Sequence, residues 1–286
     1  MVAITLMWSI AGVVTRHLDA APAFEVTFWR SAFNAGALMV FLPLIRGPRR
    51  FAASIGAGGW PLVVATVCWS IMYTAFMVAI TMTSVANVLV TLATGPLFTA
   101  LAARVALGHR LARRTLVAIL LAGLGIAWMY AREVGANDAR SVQGMLIALA
   151  VPLAGAVNWT LIQHNQRAAR RDLVPAVMLG AIVSALATLP LSLPFVASQH
   201  DLGLLALLGV VQLAIPCSLV MIVARALSAP EASLLALLEV LFGVAWAWLG
   251  AGEEPSVHVL SGGALVLAAL IGNELLEIWE QRKRRA

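Results

Sequence analysis

Two charged residues interrupt long apolar stretches of this 286-residue chain. Arg30 lies in the stretch that follows Glu25, and Glu239 lies in a second stretch near the other end of the chain. An ionised side chain in apolar surroundings is costly, and it usually faces a cavity or an opposite charge. For Arg30 two interpretations are open: contact with a substrate carboxylate or a relay, or an arginine fixed by a neighbouring carbonyl or acid.

Glu239 is the acid nearest the middle of its apolar stretch, roughly 13 Å from the start of the helix predicted there. A carboxyl group at that depth could take up and release a proton, and so couple proton movement to a substrate. The alternative is a structural contact with a neighbouring helix. Because no second deep carboxylate or histidine completes a proton path in the same half of the chain, transport without coupling is the favoured interpretation.

Six further residues carry polar or aromatic groups that would waste hydrogen bonds if they faced lipid. They are Trp8, Tyr73, Asn158, Trp159, Gln163 and Gln212. Trp8 and Trp159 precede Arg16 and Arg167 by eight residues each, which predicts matching depths on opposite sides of one cavity. An apolar cavity with a few polar groups is typical of ligand sites. The alternative for the two tryptophans is a lipid-facing position or packing in the core, and for the other four residues it is hydrogen bonding between helices.

Two prolines fall inside predicted helices. Pro96 and Pro216 have no backbone N–H and therefore leave carbonyl groups of the preceding turn without a donor. Both a hinge and a simple kink are compatible with this pattern.

The motifs of several protein classes are missing from the sequence. It contains neither a G-x-x-x-x-G-K-[ST] phosphate loop nor an H-E-x-x-H zinc motif, so we expect no enzyme, no metal and no cofactor. Cys68 and Cys217 are far apart and lie in apolar runs. The five histidines are scattered along the chain: His17, His109, His164, His200 and His258.

The composition identifies the environment of the chain. Hydrophobic residues make up 62% of it and charged residues 11%, against roughly 45–50% and about 25% in soluble domains. Because the apolar stretches are continuous, the sequence predicts an all-α membrane protein rather than a β-barrel. The net charge of +6 then reflects membrane topology and contact with anionic lipid, not binding of nucleic acid.

The apolar windows predict ten transmembrane helices, numbered here as predicted spans 1 to 10. Arginines and lysines cluster in alternate loops, which by the positive-inside rule places both termini in the cytoplasm. The first window is expected to remain as a span rather than to be removed as a signal peptide. The predicted spans are 2–17, 23–45, 60–81, 85–107, 114–131, 143–166, 174–197, 202–226, 230–249 and 260–279.

An internal repeat divides the chain into two halves. At an offset of 144 residues, Ser84, Phe98 and Gly108 fall on Ser228, Phe242 and Gly252, and nearer the N-terminus the offset becomes 151. The predicted halves are 1–135 and 136–286. Since each holds five spans, an odd number, the second half must enter the membrane from the opposite side, as in inverted-repeat transporters.

Several segments together resemble the EamA-type drug/metabolite transporter superfamily. They are Trp8-Ser9, Phe28–Arg30, Ala93–Leu111, Asn158-Trp159 and Leu237–Glu253. Within them, Gly95-Pro96-Leu97-Phe98 is similar to the signature of the fourth helix, and Leu237–Phe242 to that of the ninth. The chain departs from the pattern at Val240, where the family usually has proline, and at His109, where it usually has glutamate. The resemblance implies a ten-helix carrier for small metabolites, often an exporter of amino acids.

The sequence therefore predicts an alternating-access exporter of small amphipathic metabolites. Amino acids, including aromatic or other large neutral ones, are the first candidates. An exporter of cationic drugs or of other metabolites is the alternative, and Glu239 would favour a cation. From a different class of protein, a non-transporting membrane scaffold or receptor is the remaining alternative. The expected partners are a small-molecule substrate and membrane lipid, in a bacterial inner membrane, and a monomer suffices.

Overall fold

All regular elements in the described part of the chain are helices. The computed structural model describes residues 1–107, 113–135, 138–168, 171–223 and 235–285. In the first half of the chain the helices are α1 (Val2–Ser9), α2 (Ala11–Thr15), α3 (Ala23–Arg46), α4 (Pro48–Ala57), α5 (Gly59–Met82), α6 (Val85–Ala93), α7 (Gly95–Leu107) and α8 (Arg113–Gly135). In the second half they are α9 (Ala139–Ala148), α10 (Ala150–Ala168), α11 (Pro175–Ser192), α12 (Gln199–Leu207), a π-helical segment (Leu208–Ala214), α13 (Ile215–Val223), α14 (Leu238–Ala251) and α15 (Val257–Arg285).

The lengths and hydropathies of these helices confirm the prediction of a helical membrane protein for the part of the chain that the structure describes. Seven stretches of the described residues are long and apolar enough to cross a bilayer, and two shorter apolar helices, Val2–Thr15 and Leu238–Ala251, lie at predicted spans 1 and 9. Helix α8 covers predicted span 5 over 23 residues. A helix thus lies at each predicted span, while the number of crossings and the side of the termini stay predictions.

Several predicted spans are not continuous α-helices. Turns at Ile10, Thr94 and Leu149 separate α1 from α2, α6 from α7 and α9 from α10. At the second of these, Gly95 and Pro96 follow the turn directly, and the proline ring cannot donate to the carbonyl of the residue four positions earlier. Predicted span 8 contains the seven-residue π-helical segment, which ends two residues before Pro216.

The basic connection after α3, which the sequence analysis left without an element, forms helix α4. Pro48 occupies its first turn, where a missing N–H costs nothing. Phe51 is buried in a cluster with Leu38, Leu42 and Met178, so α4 packs its apolar face against α3 and α11. The amphipathic pattern could not be recognised from sequence, because this segment is short and contains two arginines.

Helix contacts between the two predicted halves occur in matching pairs. Helix α11 packs on α5, and α3 packs on the π-helical segment. Helix α10 packs on α5 and α7, and α1 packs on the π-helical segment and α14. In the numbering of the predicted spans, the contact between spans 7 and 3 corresponds to that between spans 2 and 8. The contact between spans 6 and 3 corresponds to that between spans 1 and 8, and the contact between spans 6 and 4 to that between spans 1 and 9. Two interleaved five-helix halves would give this pattern.

Glycine permits one of the close contacts between these helices. A Cβ atom placed on Gly209, in the π-helical segment, would lie 2.7 Å from the Arg30 carbonyl oxygen and 2.8 Å from the Asn34 amide nitrogen. Both atoms belong to the backbone of α3 and cannot turn aside. Gly209 therefore sets the separation of α3 from the π-helical segment.

We expect the substitution Gly209→Ala to lower the melting temperature of the purified protein, because the added methyl group must push α3 and the π-helical segment apart. Such overpacking costs about 1–3 kcal/mol. The matched control is Gly203→Ala in α12, where a Cβ atom meets nothing within 4 Å. The control should be neutral or slightly stabilising. Equal melting temperatures for the two variants would contradict this packing.

Cysteine labelling tests the predicted orientation. Arg49, Arg171 and Asp138 are exposed, whereas both native cysteines are buried and should give little background. In intact cells a membrane-impermeant maleimide should label a cysteine at position 138 only from outside. It should label cysteines at positions 49 and 171 only after the membrane is opened. Labelling of position 49 or 171 in intact cells would overturn the orientation.

Candidate functional site

Five of the residues predicted to carry function come together in the interior. They lie where α1, α3, α5, the π-helical segment and α14 meet, and we call them the central polar cluster: Trp8, Arg30, Tyr73, Gln212 and Glu239. They are separated along the chain by up to 231 residues (239 − 8). The fold thus collects groups from both predicted halves.

Arg30 is the centre of this cluster. The guanidinium is buried, with 2% of the residue exposed. Its Nε and Nη2 atoms donate to Gln212 Oε1 at 3.3 and 2.8 Å. The face of the group lies over the Phe76 ring, 5.3 Å from its centroid, at cation–π distance. A side-chain carbonyl therefore fixes Arg30, as one of the two sequence-based interpretations expects.

Gln212 connects three helices through one amide group. While Oε1 accepts from Arg30, Nε2 donates to the backbone carbonyl of Trp8 at 3.0 Å. Because arginine only donates and a carbonyl only accepts, these two partners fix the orientation of the amide. Gln212 lies in the π-helical segment, and such segments are frequent at functional sites. In a regular α-helix the ring of Pro216, four residues later, would clash with the Gln212 carbonyl.

Polar atoms remain unpaired beside this bridge. Arg30 Nη1 and both amide atoms of Asn34 are buried without a hydrogen bond. Asn34 follows Arg30 by four residues, so the two side chains lie on the same face of α3. The Tyr73 hydroxyl is close to Asn34 but donates, at 3.5 Å, to the Val177 carbonyl. Asn34 was not among the residues predicted to carry function; its position one helical turn from Arg30 was the available signal.

Glu239 lies half-buried in the first turn of α14, where the helix dipole favours an acid. Arg30 attracts its carboxylate electrostatically, although the two do not form an ion pair among the described residues. Helix α14 begins at Leu238, after a turn at Leu237 that follows helical residues 235–236, and the depth of Glu239 within predicted span 9 stays a prediction. Residues 224–234, which precede it, lie outside the described part of the chain.

A cavity of about 120 Å³ adjoins Glu239, between the interruption of α6 and α7 and the start of α14. Glu239 is its charged lining residue, and Pro96, Leu92 and Val240 are among its apolar ones. Ligand pockets usually measure about 300–1,000 Å³. In this conformation the helices close around a space for a few water molecules, so a metabolite could enter only if they separate.

None of the described hydrogen bonds joins Asn158 or Trp159 of α10 to the central polar cluster. Asn158 is buried, Trp159 is 53% exposed, and the side chain of Gln163 lies outside the described part of the structure. Helix α10 packs on α5 and α7. The role of these three residues in a cavity stays a prediction, as does hinge motion at Pro96 and Pro216.

At the predicted outer end, two buried carboxylates bind backbone N–H groups. Glu25 accepts from Val196 and Ala197, and from the indole of Trp29. Asp201 accepts from Asp19 at 2.8 Å and belongs to a capping box at the start of α12. The Ser-x-x-Asp spacing was a visible signal for the capping box, but neither loop partner could be found from sequence.

Asp201 also lies near His200 and Asp19, a grouping that sequence alone did not indicate. The histidine Nδ1 atom is 3.2 Å from an Asp19 oxygen and 3.9 Å from an Asp201 oxygen. Such spacing suits metal ligands in principle. The Asp201 oxygens, however, already accept backbone N–H groups, and the other two side chains are largely exposed. This arrangement is explained by loop structure alone.

An ion pair joins three loops at the same end. Arg16 Nε donates to Glu253 Oε2 at 2.8 Å, and Arg16 Nη2 donates to the Thr83 carbonyl at 2.8 Å. The other Glu253 oxygen accepts from the Val85 amide at 2.6 Å. The pair therefore connects the end of α2, the turn between α5 and α6, and the loop after α14.

Comparison with known proteins identifies relatives over nearly the whole chain. The sequence profile of the EamA-like transporter family matches residues 1–131 and again residues 142–273. The pseudopaline exporter CntI of Pseudomonas aeruginosa, from strains UCBPP-PA14 and PAO1, is 28% identical over 274 residues, which cover 92% of this chain and 90% of the exporter. A protein of known crystal structure is 17% identical with a TM-score of 0.66, covering 99% of this chain and 96% of that one, and so shares the fold.

We expect Glu253→Ala to destabilise the protein by about 1–3 kcal/mol, because Arg16 and the Val85 amide both lose their acceptor. The matched control is the neighbouring exposed acid, in the substitution Glu254→Ala, which should stay within about 0.5 kcal/mol of the wild type. Thermal unfolding of the purified variants measures both. Equal losses in the two variants would contradict a structural role for the Arg16–Glu253 pair.

Proposed function

Since the chain belongs to the EamA-like transporter family, we propose that it is a secondary transporter that exports small amphipathic metabolites, with amino acids as the first candidates. The family and the exporter relative identify a transporter rather than an enzyme. The proposed location is a bacterial inner membrane, with both termini in the cytoplasm.

The observation that carries the choice of substrate is the pair of opposite charges in the interior. Arg30 and Glu239 interact electrostatically but form no ion pair among the described residues, and mostly apolar side chains line the cavity beside Glu239. A free amino acid carries a carboxylate and an ammonium group that match these two charges. Its side chain would lie against the apolar residues of α6 and α14. Aromatic and other large neutral amino acids fit best, because the surrounding surface is apolar.

Alternating access explains the discontinuous helices. The turns at Ile10 and Thr94 and the π-helical segment all lie in elements that contact the central polar cluster or the cavity beside it. Irregular backbone at membrane depth is typical of transporter binding sites. We propose that the halves 1–135 and 136–286 have inverted topology and rock about this centre. Support comes from the paired helix contacts and from the family profile, which matches the chain twice.

The direction of transport is proposed from the relative of known function. The pseudopaline exporter CntI is named for export, and it aligns with nearly the whole chain at 28% identity. That this chain also exports its substrate is part of the proposal. The closed Arg16–Glu253 contacts at the predicted outer end fit a carrier whose outer end must open to release substrate.

One observation favours a second candidate function. Glu239 is the charged residue that lines the cavity, and it would suit a cationic drug or a cationic metabolite without any carboxylate. In that case Arg30 would have only a structural role. The scaffold or receptor alternative has no comparable support from the interior of the protein.

We expect the purified protein in proteoliposomes to show saturable counterflow of L-phenylalanine or L-leucine. Substitution Glu239→Gln should raise the concentration needed for half-maximal counterflow by about 10–100-fold, because one charged hydrogen-bond partner of the ammonium group is lost. The substitution Glu254→Gln removes an exposed acid in the loop after α14 and should leave this concentration unchanged.

The same assay distinguishes the competing functions. Counterflow of tetraphenylphosphonium but of no amino acid would favour the cation exporter. Absence of counterflow for every amino acid and organic cation would contradict the transport proposal for these substrates. A pH gradient imposed on wild-type vesicles addresses coupling: if it leaves net phenylalanine flux unchanged, the carrier equilibrates substrate and Glu239 has no role in proton movement.

A further inference from the structure

The buried guanidinium of Arg30 lacks an acidic partner. Among the described residues no carboxylate lies within 4.0 Å of it, and the acceptor of its two hydrogen bonds is the neutral amide of Gln212. Fully buried arginines are rare unless they are paired with an opposite charge. The described residues therefore hold a positive charge and supply no direct counter-ion to it.

Among the described residues near this charge, the atoms left without hydrogen bonds belong to Arg30 itself and to Asn34, one helical turn further along α3. Arg30 Nη1 is a buried donor without an acceptor, and the Asn34 side chain is buried with both of its amide atoms unpaired. Their spacing of four residues on α3 puts them on one helix face. Buried donors without partners destabilise the folded state, so their persistence at one place calls for an explanation.

A carboxylate is the ligand that these groups fit. It accepts hydrogen bonds only, and its two oxygens can accept from a guanidinium and an amide at the same time. An ammonium group could use neither Arg30 Nη1 nor Asn34 Nδ2. The unpaired Asn34 Oδ1 adds an acceptor beside them, which suits an N–H group close to the carboxylate, as in an α-amino acid.

The position of the guanidinium is set before any ligand binds. Gln212 holds Nε and Nη2, and the Phe76 ring covers one face, so the edge at Nη1 is the one without a partner. A fixed donor loses little conformational entropy when it binds its acceptor. Gln212 and Phe76 are positioning residues for this edge.

We propose that Arg30 and Asn34 form the subsite that binds the carboxylate of the transported molecule, next to Glu239, which takes the ammonium group. The inference rests on the proposed function and deepens it, because it makes a carboxylate a requirement for tight binding. A cation without a carboxylate would have Glu239 alone. The protein thus prefers zwitterions and carboxylates to amines of the same shape.

Binding to the full-length protein in detergent tests this subsite with two matched pairs of probes. L-Phenylalanine is compared with L-phenylalaninamide, and 3-phenylpropanoate with 3-phenylpropanamide, by their effect on the melting temperature. For the wild type, each carboxylate should reach its half-maximal effect at a concentration at least about tenfold lower than its amide. Arg30→Gln should remove this difference.

Asn34→Leu is the second variant, because it removes the unpaired amide and keeps the charge of Arg30. Without ligand its melting temperature should equal or exceed that of the wild type, since two buried unpaired atoms are gone. Its preference for carboxylates should nevertheless fall. A merely structural asparagine would give the opposite result: a lower melting temperature and an unchanged preference. The control is Arg49→Gln, which removes an exposed arginine of α4 and should change neither quantity.

Equal effects of carboxylates and amides on the wild type would overturn the subsite, and so would a preference that persists in Arg30→Gln. If Arg30→Gln does not fold, Asn34→Leu decides the question in the same way. Amino-acid counterflow without any carboxylate preference would leave the transporter proposal standing and remove this subsite. If no amino acid is transported and no carboxylate binds, both proposals fail.

Discussion

The rest of the interior is arranged around a buried guanidinium whose hydrogen-bond acceptor is a neutral amide and, among the described residues, not a carboxylate. Burial of Arg30 is tolerated because the Gln212 amide accepts two of its hydrogen bonds, and that amide is itself held by the Trp8 carbonyl. This bridge requires α1 and α3, near the start of the chain, to meet the π-helical segment of the second half. The π-helical segment aims Gln212 at Arg30, and Gly209 lets the two helix backbones come close enough.

A neutral partner for Arg30 has a functional consequence. An ion pair with Glu239 would neutralise both charges and leave little attraction for a zwitterion. Separation of the two charges instead preserves a positive and a negative group for the two ends of a substrate. The small cavity and the closed outer loops, held by Arg16 with Glu253 and by Glu25 and Asp201, indicate a closed arrangement around this pair of charges. On the proposed alternating-access mechanism, the contacts at one end break while the Arg30–Gln212 bridge persists.

Composition and apolar windows were enough to predict a helical membrane protein, because lipid requires every backbone group to be paired within a helix. They could not predict helix α4, whose apolar face is short, whereas Pro96 already indicated an interruption close to the turn at Thr94. Depth alone selected Arg30, Glu239 and Gln212, and these do come together. It could not find Asn34 or the backbone partners of Glu25, since contacts between distant segments depend on how the helices pack. The role of the α10 residues Asn158, Trp159 and Gln163 stays a prediction for the same reason.

The most direct measurement of the central claim is an experimental structure of the protein with a transported carboxylate bound. We predict one carboxylate oxygen about 3 Å from Arg30 Nη1 and another within hydrogen-bond distance of Asn34 Nδ2. Gln212 should still accept from Nε and Nη2 of the same arginine. A structure in which Arg30 forms an ion pair with Glu239, while the ligand binds elsewhere, would contradict the account.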